Sequence, residues 1–508
     1  MIKCIKSQRI GVLNMEKIVS SRVMRESDEY TCANVISSEE LMYRAGKGIY
    51  ESRADWGRTA IVCGSGNNAG DGFVVAKLIH EQCGDATIFL LSEKFSESGR
   101  YYFDMCMGMG VKTEKCTVET DFSGFDTVLD CIFGTGFRGD VRGLAATIID
   151  KINESGAYVV SADINSGLSA DSGLSEKCVR SDLTVSVGSF KYGHFLGMAK
   201  DVMREKKNID IGIEIRGEYA ILAEKGDFLP CIKPRRNHSN KGTYGYVGIM
   251  GGCREYSGAV KLASLGASAL RSGCGVAKII VPESIASSVA PWLLESTLLP
   301  MCDEAGHIVF DKAAFDSALA GLAALSVGMG WGRSGENAKI LEYILAEKAL
   351  PLIIDADGLN TLAGMDKNLL KNTACRVVLT PHPKEFERIS GVPVAEVLEK
   401  TVECAKAFAR EHGTIVLLKG ASTVVTDGEE TYICSRGSAG MATAGSGDVL
   451  SGVLTGLLGY MDYSPRTVAL GAYLAGAAGE LAAAEYTEIA MTAGDTARML
   501  PKAWKELI

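Results

Sequence analysis

The chain has 508 residues, too many for a single hydrophobic core, so two sizeable domains are expected. Hydrophobic residues make up 47% and aromatics only 7%, with 58 glycines, which suits α/β architecture with many tight strand-to-helix turns and excludes a disordered chain. A net charge of -9 without a long block of Lys or Arg excludes the electrostatic footprint of a nucleic-acid binder.

Residues 1–14 are mildly basic but lack an apolar stretch, so no secretory signal is expected, and Met15 is an alternative start. The first half then alternates strand-like and helix-like segments: strands at 60–63, 86–91, 127–130, 158–163 and 183–187, with helices from Asp71 and over 99–109. This alternation predicts a Rossmann-like, doubly wound parallel sheet. A break follows Ile213, and residues 227–243 carry two prolines, an Arg235-Arg236 pair and no periodicity, which places a boundary near residue 225. Domains of 15–220 and 228–505 are expected.

The pattern restarts with a strand at 246–250, a helix over 258–271 and strands at 276–281, 324–327, 352–354, 377–379 and 415–418, a second α/β domain. Residues 422–425 and 430–434, joined by a turn at Asp427-Gly428, read as a β-hairpin. A helix over 449–460 follows, then one over 466–486 that is rich in Ala and Gly and interrupted by Glu480 and Glu485, which favours packing in a core over spanning a membrane. The fifteen cysteines, from Cys4 to Cys434, show no C-x-x-C and no metal-type spacing with the six histidines; they read as reduced, mostly buried thiols of a cytoplasmic protein.

Chemistry concentrates where strands end. After the strand at 60–63 comes Gly64-Ser65-Gly66-Asn67-Asn68-Ala69-Gly70-Asp71-Gly72. A dinucleotide fingerprint prefers small apolar spacers, whereas Asn67 and Asn68 put two amides into the turn, suited to a cation and to ligand hydroxyls and phosphates. Asp130 ends a later strand ahead of a second glycine loop, Phe133-Gly134-Thr135-Gly136-Phe137-Arg138-Gly139-Asp140, in which Arg138 is placed to meet a phosphate. Asp163 ends another, ahead of Ile164-Asn165-Ser166-Gly167. In an open parallel sheet the carboxyl ends of the strands line the ligand crevice, so these elements should converge. Each Asp alone would equally suit turn capping.

This set, Gly66-Asn67-Asn68-x-Gly70-Asp71-Gly72 with Asp130-x-Ile132-Phe133-Gly134 and Asp163-Ile164-x-Ser166-Gly167, resembles the NAD(P)H-hydrate epimerase domain over roughly residues 15 to 215. The resemblance implies that Asn67, Asn68, Ala69, Gly70 and Asp71, with Gly134 through Asp140, bind the hydrated dinucleotide, NADH hydrate or NADPH hydrate. It implies K+ on Asn68, Asp130 and Ser166, and Asp163 as acid/base at the reacting ring. Two positions depart from the family pattern: Ala69 in place of the usual Gly and Asn165 in place of the usual Pro.

The second half has the same habit. His238-Ser239-Asn240-Lys241-Gly242 leads into its first strand, and Gly328-Met329-Gly330-Trp331-Gly332-Arg333, Asp355-Ala356-Asp357-Gly358-Leu359-Asn360 and Thr380-Pro381-His382-Pro383-Lys384-Glu385 each follow a strand. Lys419-Gly420 closes a fourth, where a lysine can contact a nucleotide phosphate. Then comes Gly437-Ser438-Ala439-Gly440-Met441-Ala442-Thr443-Ala444-Gly445-Ser446-Gly447-Asp448 ahead of an apolar helix. The N–H groups of Gly445, Ser446 and Gly447 would be free donors at the positive end of that helix, a place for phosphate. A carboxylate there would repel an anion unless it takes a proton from a hydroxyl attacking that phosphate. Plain N-capping is the ordinary alternative.

Together these residues resemble the ribokinase-like superfamily and, within it, the ADP-dependent NAD(P)H-hydrate dehydratase domain, over roughly residues 228 to 505. The resemblance implies that Lys419, Gly420, Ala421, Ser422 and Thr423 and the run from Ser438 to Gly447 hold ADP, the co-substrate. It implies that Gly332, His382, Pro383, Lys384, Glu385, Phe386, Glu387, Arg388 and Asp448 face the hydrated dinucleotide. Asp448 would deprotonate the C6 hydroxyl, which attacks the terminal phosphoryl of ADP; loss of phosphate regenerates NAD(P)H and leaves AMP, while the N-terminal domain equilibrates the R and S forms. Mg2+ is expected in the dehydratase domain, and a homo-oligomer is expected. Two other classes share parts of the pattern: a vitamin-precursor kinase would share Gly-Ser-Gly-Asp, and the first domain could be a nucleotide-sensing module without chemistry.

Overall fold

The structure is a computed structural model that describes residues 15–265 and 270–508. Residues 1–14, and residues 266–269 of the expected helix 258–271, lie outside the described residues. The chain divides into two compact units, Lys17–Ala220 and Ile221–Ile508, the latter joined by Met15 and Glu16.

The N-terminal unit is built on seven parallel strands in the spatial order Lys112–Lys115, Ala86–Leu90, Thr59–Cys63, Thr127–Cys131, Tyr158–Ala162, Ser181–Val187, Met203–Ile209. Thr59–Cys63 and Thr127–Cys131 are buried along their whole length, as strands covered on both faces must be. Side chains alternate between two cores: Ile61, Cys63 and Leu129 enter one and Ala60, Val62 and Val128 the other. Chain order reverses between Thr59–Cys63 and Thr127–Cys131, so the loops after these two strands diverge and leave a crevice at the carboxyl edge. The two outermost strands escape sequence reading because both are polar edges: Lys112–Lys115 is mostly exposed and Met203–Ile209 reads MREKKNI. The helix placed from Asp71 starts at Asn67, so the two asparagines occupy its first turn, and Asp163 falls just after the strand that ends at Ala162.

The C-terminal unit orders its strands Thr297–Met301, Val276–Pro282, Tyr246–Met250, Ala324–Val327, Pro351–Ile354, Arg376–Leu379 and Ile415–Leu418, all parallel. The antiparallel hairpin Thr423–Thr426 and Thr431–Cys434 extends the sheet, and Ile221 and Leu222 pair with Tyr432 and Ile433. Again the order reverses, here between Tyr246–Met250 and Ala324–Val327. The helix Ser446–Leu458 is buried from Val449 onward and supplies Val453, Leu454 and Leu457 to the core, which it shares with Pro465–Tyr486 and Ala493–Leu507. Pro465–Tyr486 is long and apolar enough to cross a membrane, but 78% of its apolar window is buried inside this unit. The fourteen cysteines among the described residues are all free.

Candidate functional site

Each unit gathers polar groups at the carboxyl edge of its sheet. In the N-terminal unit Gly66 adopts φ +92, which a side chain would strain, and turns the chain so that Asn68 enters a helix with its amide facing inward. Both Oδ1 and Nδ2 of Asn68 are buried, and neither has a hydrogen-bond partner. An unpaired buried amide costs about 1–3 kcal/mol, so it marks a place shaped for a ligand. Asp130, fully buried, accepts from Ile132 N at 3.2 Å, Ser161 Oγ at 2.9 Å, and Ser166 N and Oγ at 2.9 and 2.5 Å. Burial pushes its carboxyl above the ordinary value and these donors pull it back. Ser166 Oγ in turn accepts from Phe133 N at 2.8 Å, fastening the second glycine loop to the strand-end aspartate.

Asp163 sits at φ +64, an uncommon backbone for a residue with a side chain. One oxygen meets Lys191 Nζ at 2.5 Å and the other accepts from Thr135 N at 3.3 Å. Burial pushes this carboxyl up, but the Lys191 ammonium beside it wins and holds it below the usual range. His194 fixes the backbone of both residues: Nδ1 accepts from Lys191 N at 2.9 Å, which leaves Nε2 to donate to Asp163 O at 2.8 Å. Burial, then the nearby Lys191 charge, pulls His194 down to about 4, so the ring is neutral. Asp71 goes the other way; burial first, then Asp163 and Asp28, raise it well above the usual range.

Asp28, Asp71, Asp163 and Lys191 line one cavity of about 590 Å³, which also takes in Asn67, Asn68, Gly134, Thr135, Gly136 and Phe137. Of the residues carried over by resemblance, Ala69, Gly70, Asp130, Gly139, Asp140 and Ser166 are not part of its wall: Ala69, Asp130 and Ser166 are fully buried, and Asp140 pairs with Arg142 at 3.0 Å. Arg138 reaches the cavity, but its guanidinium is already held by Ser21 Oγ at 2.6 Å and by the carbonyls of Thr135 and Phe137, so it braces the loop where a free phosphate contact was expected. The two departures from the family pattern are absorbed locally. Ala69 lies within a helix and needs no positive φ, and the Asn165 amide is satisfied by Val179 O, Val202 O, Ser181 and Thr184.

Sequence reading missed Asp28, Lys191 and His194. Its one available signal was a lysine and a histidine inside the otherwise apolar run Phe190-Lys191-Tyr192-Gly193-His194-Phe195.

In the C-terminal unit Gly445, at φ +92, turns the glycine loop into the helix Ser446–Leu458 and puts Asp448 in its first turn. Among the described residues Gly445 N–H and Gly447 N–H have no backbone partner, whereas Ser446 N–H reaches Thr443 O at a long 3.5 Å, so two of the three expected donors are free. The Asp448 carboxyl is pushed up to about 7, by burial first and then by Asp355, with Lys419 opposing and Asp357 adding a little. Lys419 Nζ lies 3.0 Å from Asp355 Oδ1 and 3.8 Å from Glu385 Oε2, and a Cβ on Gly447 would sit 3.4 Å from it. One ammonium therefore joins three strand-end loops to the glycine loop.

Asp355, buried, also accepts from Ser451 Oγ at 2.8 Å and so is not a helix cap. Asp357 accepts from Gly332 N at 2.9 Å. His382 and Glu385 cap their helix reciprocally: His382 Nδ1 accepts from Lys384 N and Glu385 N at 3.1 and 3.3 Å, and Glu385 Oε2 accepts from His382 N at 2.9 Å. Phe386, placed with the substrate by resemblance, is fully buried against Phe408 and leaves no face for a ligand, because the helix Pro383–Ser390 turns it inward with Ile389. Pro383 and Lys384 head that helix, while Glu387 and Arg388 lie on its exposed side. Ser438 through Met441 are held from behind, Ala439 N donating to Glu488 Oε1 at 3.3 Å, which leaves Ala442, Thr443 and Ala444 exposed. Gly420 and Ala421 are exposed beside Lys419; Ser422 is buried and Thr423 begins the hairpin.

A family model described as NAD(P)H-hydrate dehydratase matches residues 247–502, and one described as YjeF-related protein N-terminus matches residues 38–193. The bifunctional NAD(P)H-hydrate repair enzyme of Moorella thermoacetica is 34% identical over 504 residues, covering 95% of this chain and 94% of its own. The chain belongs to the bifunctional NAD(P)H-hydrate repair enzyme family. The family member of Escherichia coli is 32% identical, with 90% of this chain and 87% of its own covered. Among solved structures, the ADP/ATP-dependent NAD(P)H-hydrate dehydratase of Bacillus subtilis, crystallised with ATP and Mg2+, is 28% identical with a TM-score of 0.49, covering 56% of this chain and 98% of its own. Membership favours the repair reading of both units over the kinase alternative.

Proposed function

We propose that the N-terminal unit interconverts the R and S forms of hydrated NADH and NADPH, and that the C-terminal unit returns the S form to NAD(P)H using ADP, in a cytoplasmic enzyme. The observation that carries the second reaction is Asp448: a carboxyl with a value about 7, in the first turn of a helix whose loop leaves N–H groups free. Near neutral pH such a group accepts a proton readily. Asp448 takes the proton of the C6 hydroxyl, that oxygen bonds to the terminal phosphorus of ADP as the bond to AMP breaks, and the free N–H groups stabilise charge on the phosphoryl oxygens. Loss of the C6–O bond as phosphate and of a C5 proton then restores the ring double bond.

Lys419 supplies positive charge between the two substrates. Among the described residues no three His, Cys, Asp or Glu side chains form a metal cluster. Mg2+ held mainly by nucleotide phosphates would need only one or two carboxylates from the protein, for which Asp355 and Asp357, the acids whose charges act on Asp448, are the candidates.

In the N-terminal unit the residues fit K+. Asn68 offers an unpaired buried oxygen, and Asp130, Ser166 and the Phe133 carbonyl offer oxygens without a high negative charge. The ion would supply a fixed positive charge, and Lys191 and Thr135 hold the acid/base carboxyl of Asp163 in place. Replacing K+ by a large organic cation is expected to reduce R-to-S conversion at least tenfold while leaving ADP-dependent dehydration of the S form intact; Asn68→Ala should abolish that K+ dependence. Chiral chromatography of the hydrates reads both, and conversion indifferent to the cation overturns the potassium assignment.

The direct test of function adds prepared NADH hydrate and ADP to the full chain and follows the return of NADH absorbance. Recovery with release of AMP and phosphate is expected. A stable phosphorylated product without recovery of NADH would overturn the reading.

A further inference from the structure

Beside the reacting carboxylate the C-terminal unit has an open cleft of about 600 Å³, lined by Gly332, Arg333, Ser334, Asn360, Met365 and Arg388 among others. Its size suits a nucleotide-sized group. Residues 437–447 take no part in its wall, so it is not the space beside the glycine loop. The loop that carries Asp355 and Asp357 joins it to the reacting site, since a Cβ on Gly447 would sit 3.6 Å from the Asp355 carboxylate. Asp357 both lines the cleft and is one of the charges that raise Asp448, and Gly332 N–H donates to that same Asp357.

On the cleft two guanidinium groups, of Arg333 and Arg388, outnumber the one carboxylate of Asp357. The Asp357 oxygens are occupied by Gly332 N–H at 2.9 Å and Asn360 Nδ2 at 3.2 Å. Arg388 donates to the neutral Asn360 Oδ1 at 2.8 Å and has no carboxylate partner among the described residues. Arg333 is exposed on the cleft and has neither hydrogen bond nor ion pair among them. By contrast, Arg410 and Arg498 of the same unit are each paired with an acid, Glu429 and Asp495. Two unneutralised guanidinium groups on one nucleotide-sized cleft are a receptor for phosphate, since the planar fork matches two phosphate oxygens.

Resting on the dehydratase reading above, we propose that this cleft takes the adenosine half of the hydrated dinucleotide and that Arg333 is a specificity-determining residue, contacting the additional ribose phosphate that distinguishes hydrated NADPH from hydrated NADH. Neither family resemblance nor any motif assigns Arg333. With the nicotinamide ring at Asp448, the phosphate-bearing arm of the substrate has to leave past Asp357, and the cleft is where that path opens.

The test uses the full chain and its Arg333→Ala and Arg333→Lys variants, with kcat and KM measured for the S hydrates of NADPH and NADH at saturating ADP. In Arg333→Ala the KM for NADPH hydrate should rise about tenfold and that for NADH hydrate less than about threefold, as loss of a charge-assisted contact predicts. The kcat and the KM for ADP should stay put, and Arg333→Lys should restore part of the loss. Equal increases for both hydrates, or no increase, overturn the assignment. Wild-type turnover of neither hydrate overturns the dehydratase reading instead. Calorimetric titration with adenosine 2′,5′-bisphosphate then still decides the cleft: binding at least about fivefold tighter to wild type than to Arg333→Ala supports it, and equal binding overturns it.

Discussion

Asp448→Asn is expected to lower ADP-dependent dehydration by at least about a thousandfold, with little change in the KM for ADP, while R-to-S conversion continues at its normal rate. The amide keeps the shape of the carboxyl and cannot take the hydroxyl proton. The wild-type rate should itself climb with pH through about 7, where Asp448 loses its own proton, and flatten above. Stability should move in the opposite sense. Because the folded-state value lies above the ordinary carboxyl value, the fold binds this proton more tightly than the unfolded chain does. The resulting stabilisation is fully present at low pH and disappears as pH rises through about 7. Above that, wild type holds a partly buried carboxylate facing Asp355, and the asparagine variant does not. Asp448→Asn should therefore be the more stable protein at pH 9, by something on the order of 2 kcal/mol, and match or trail wild type at pH 5. Thermal unfolding at the two pH values reads this, and an inactive variant with no alkaline gain in stability would mean that Asp448 is not held in an unfavourable charge state.

The second large effect belongs to Lys191. Lys191→Met should nearly abolish epimerisation and destabilise the N-terminal unit by about 3–5 kcal/mol. The lysine is 1% exposed, its Nζ is 2.5 Å from Asp163, and it also donates to Val187 O at 2.8 Å. Removing it leaves Asp163 buried near Asp28 and Asp71 with no compensating charge. Asp163 would answer by binding a proton at neutral pH and would cease to act as a base. In the wild type the sign is the usual one for a paired carboxyl: the contribution is present above the ordinary aspartate value and is lost as pH falls through the depressed folded-state value. A Lys191→Met/Asp163→Asn double variant should recover part of the stability and none of the activity, since it removes both charges together. R-to-S conversion in Lys191→Met within twofold of wild type would show that the pair is structural only.

Much of this site was legible before the fold was known, for a physical reason. Asp130, Asp163, Asp355 and Asp448 each follow a short apolar strand or a glycine run, and in a parallel sheet those positions share one edge. Lys191, His194 and Asp28 were not legible in that way. Asp28 comes from the helix Ser21–Asn34, Lys191 from the two-residue strand Phe190–Lys191 and His194 from the turn after it; none of these segments carries the loop chemistry that announces a strand-end site. Phe386 shows the opposite error. A motif read as a contiguous string treats all its members alike, whereas a helix turns Phe386 and Ile389 to the core and Glu387 and Arg388 outward. The Asn67-Asn68 segment was read as a loop because its glycines mask a helix that packing sustains; Gly70 and Gly72 lie within it at close approaches to Met42 and Cys131.

The reversal of strand order also bears on when these sites come into being as the chain folds. Asn68 and Asp130 come to one sheet edge only once Thr59–Cys63 has paired with Thr127–Cys131, across two intervening helices and two further strands. Lys191 and Asp163, in contrast, come from neighbouring stretches of chain. Closing the longer separation means ordering all that lies between before any contact rewards it. The proposed cation cradle would thus be a late product of folding, and a nascent chain released with only its first strands complete would have the glycine turn and the asparagines without Asp130 and Ser166 beside them.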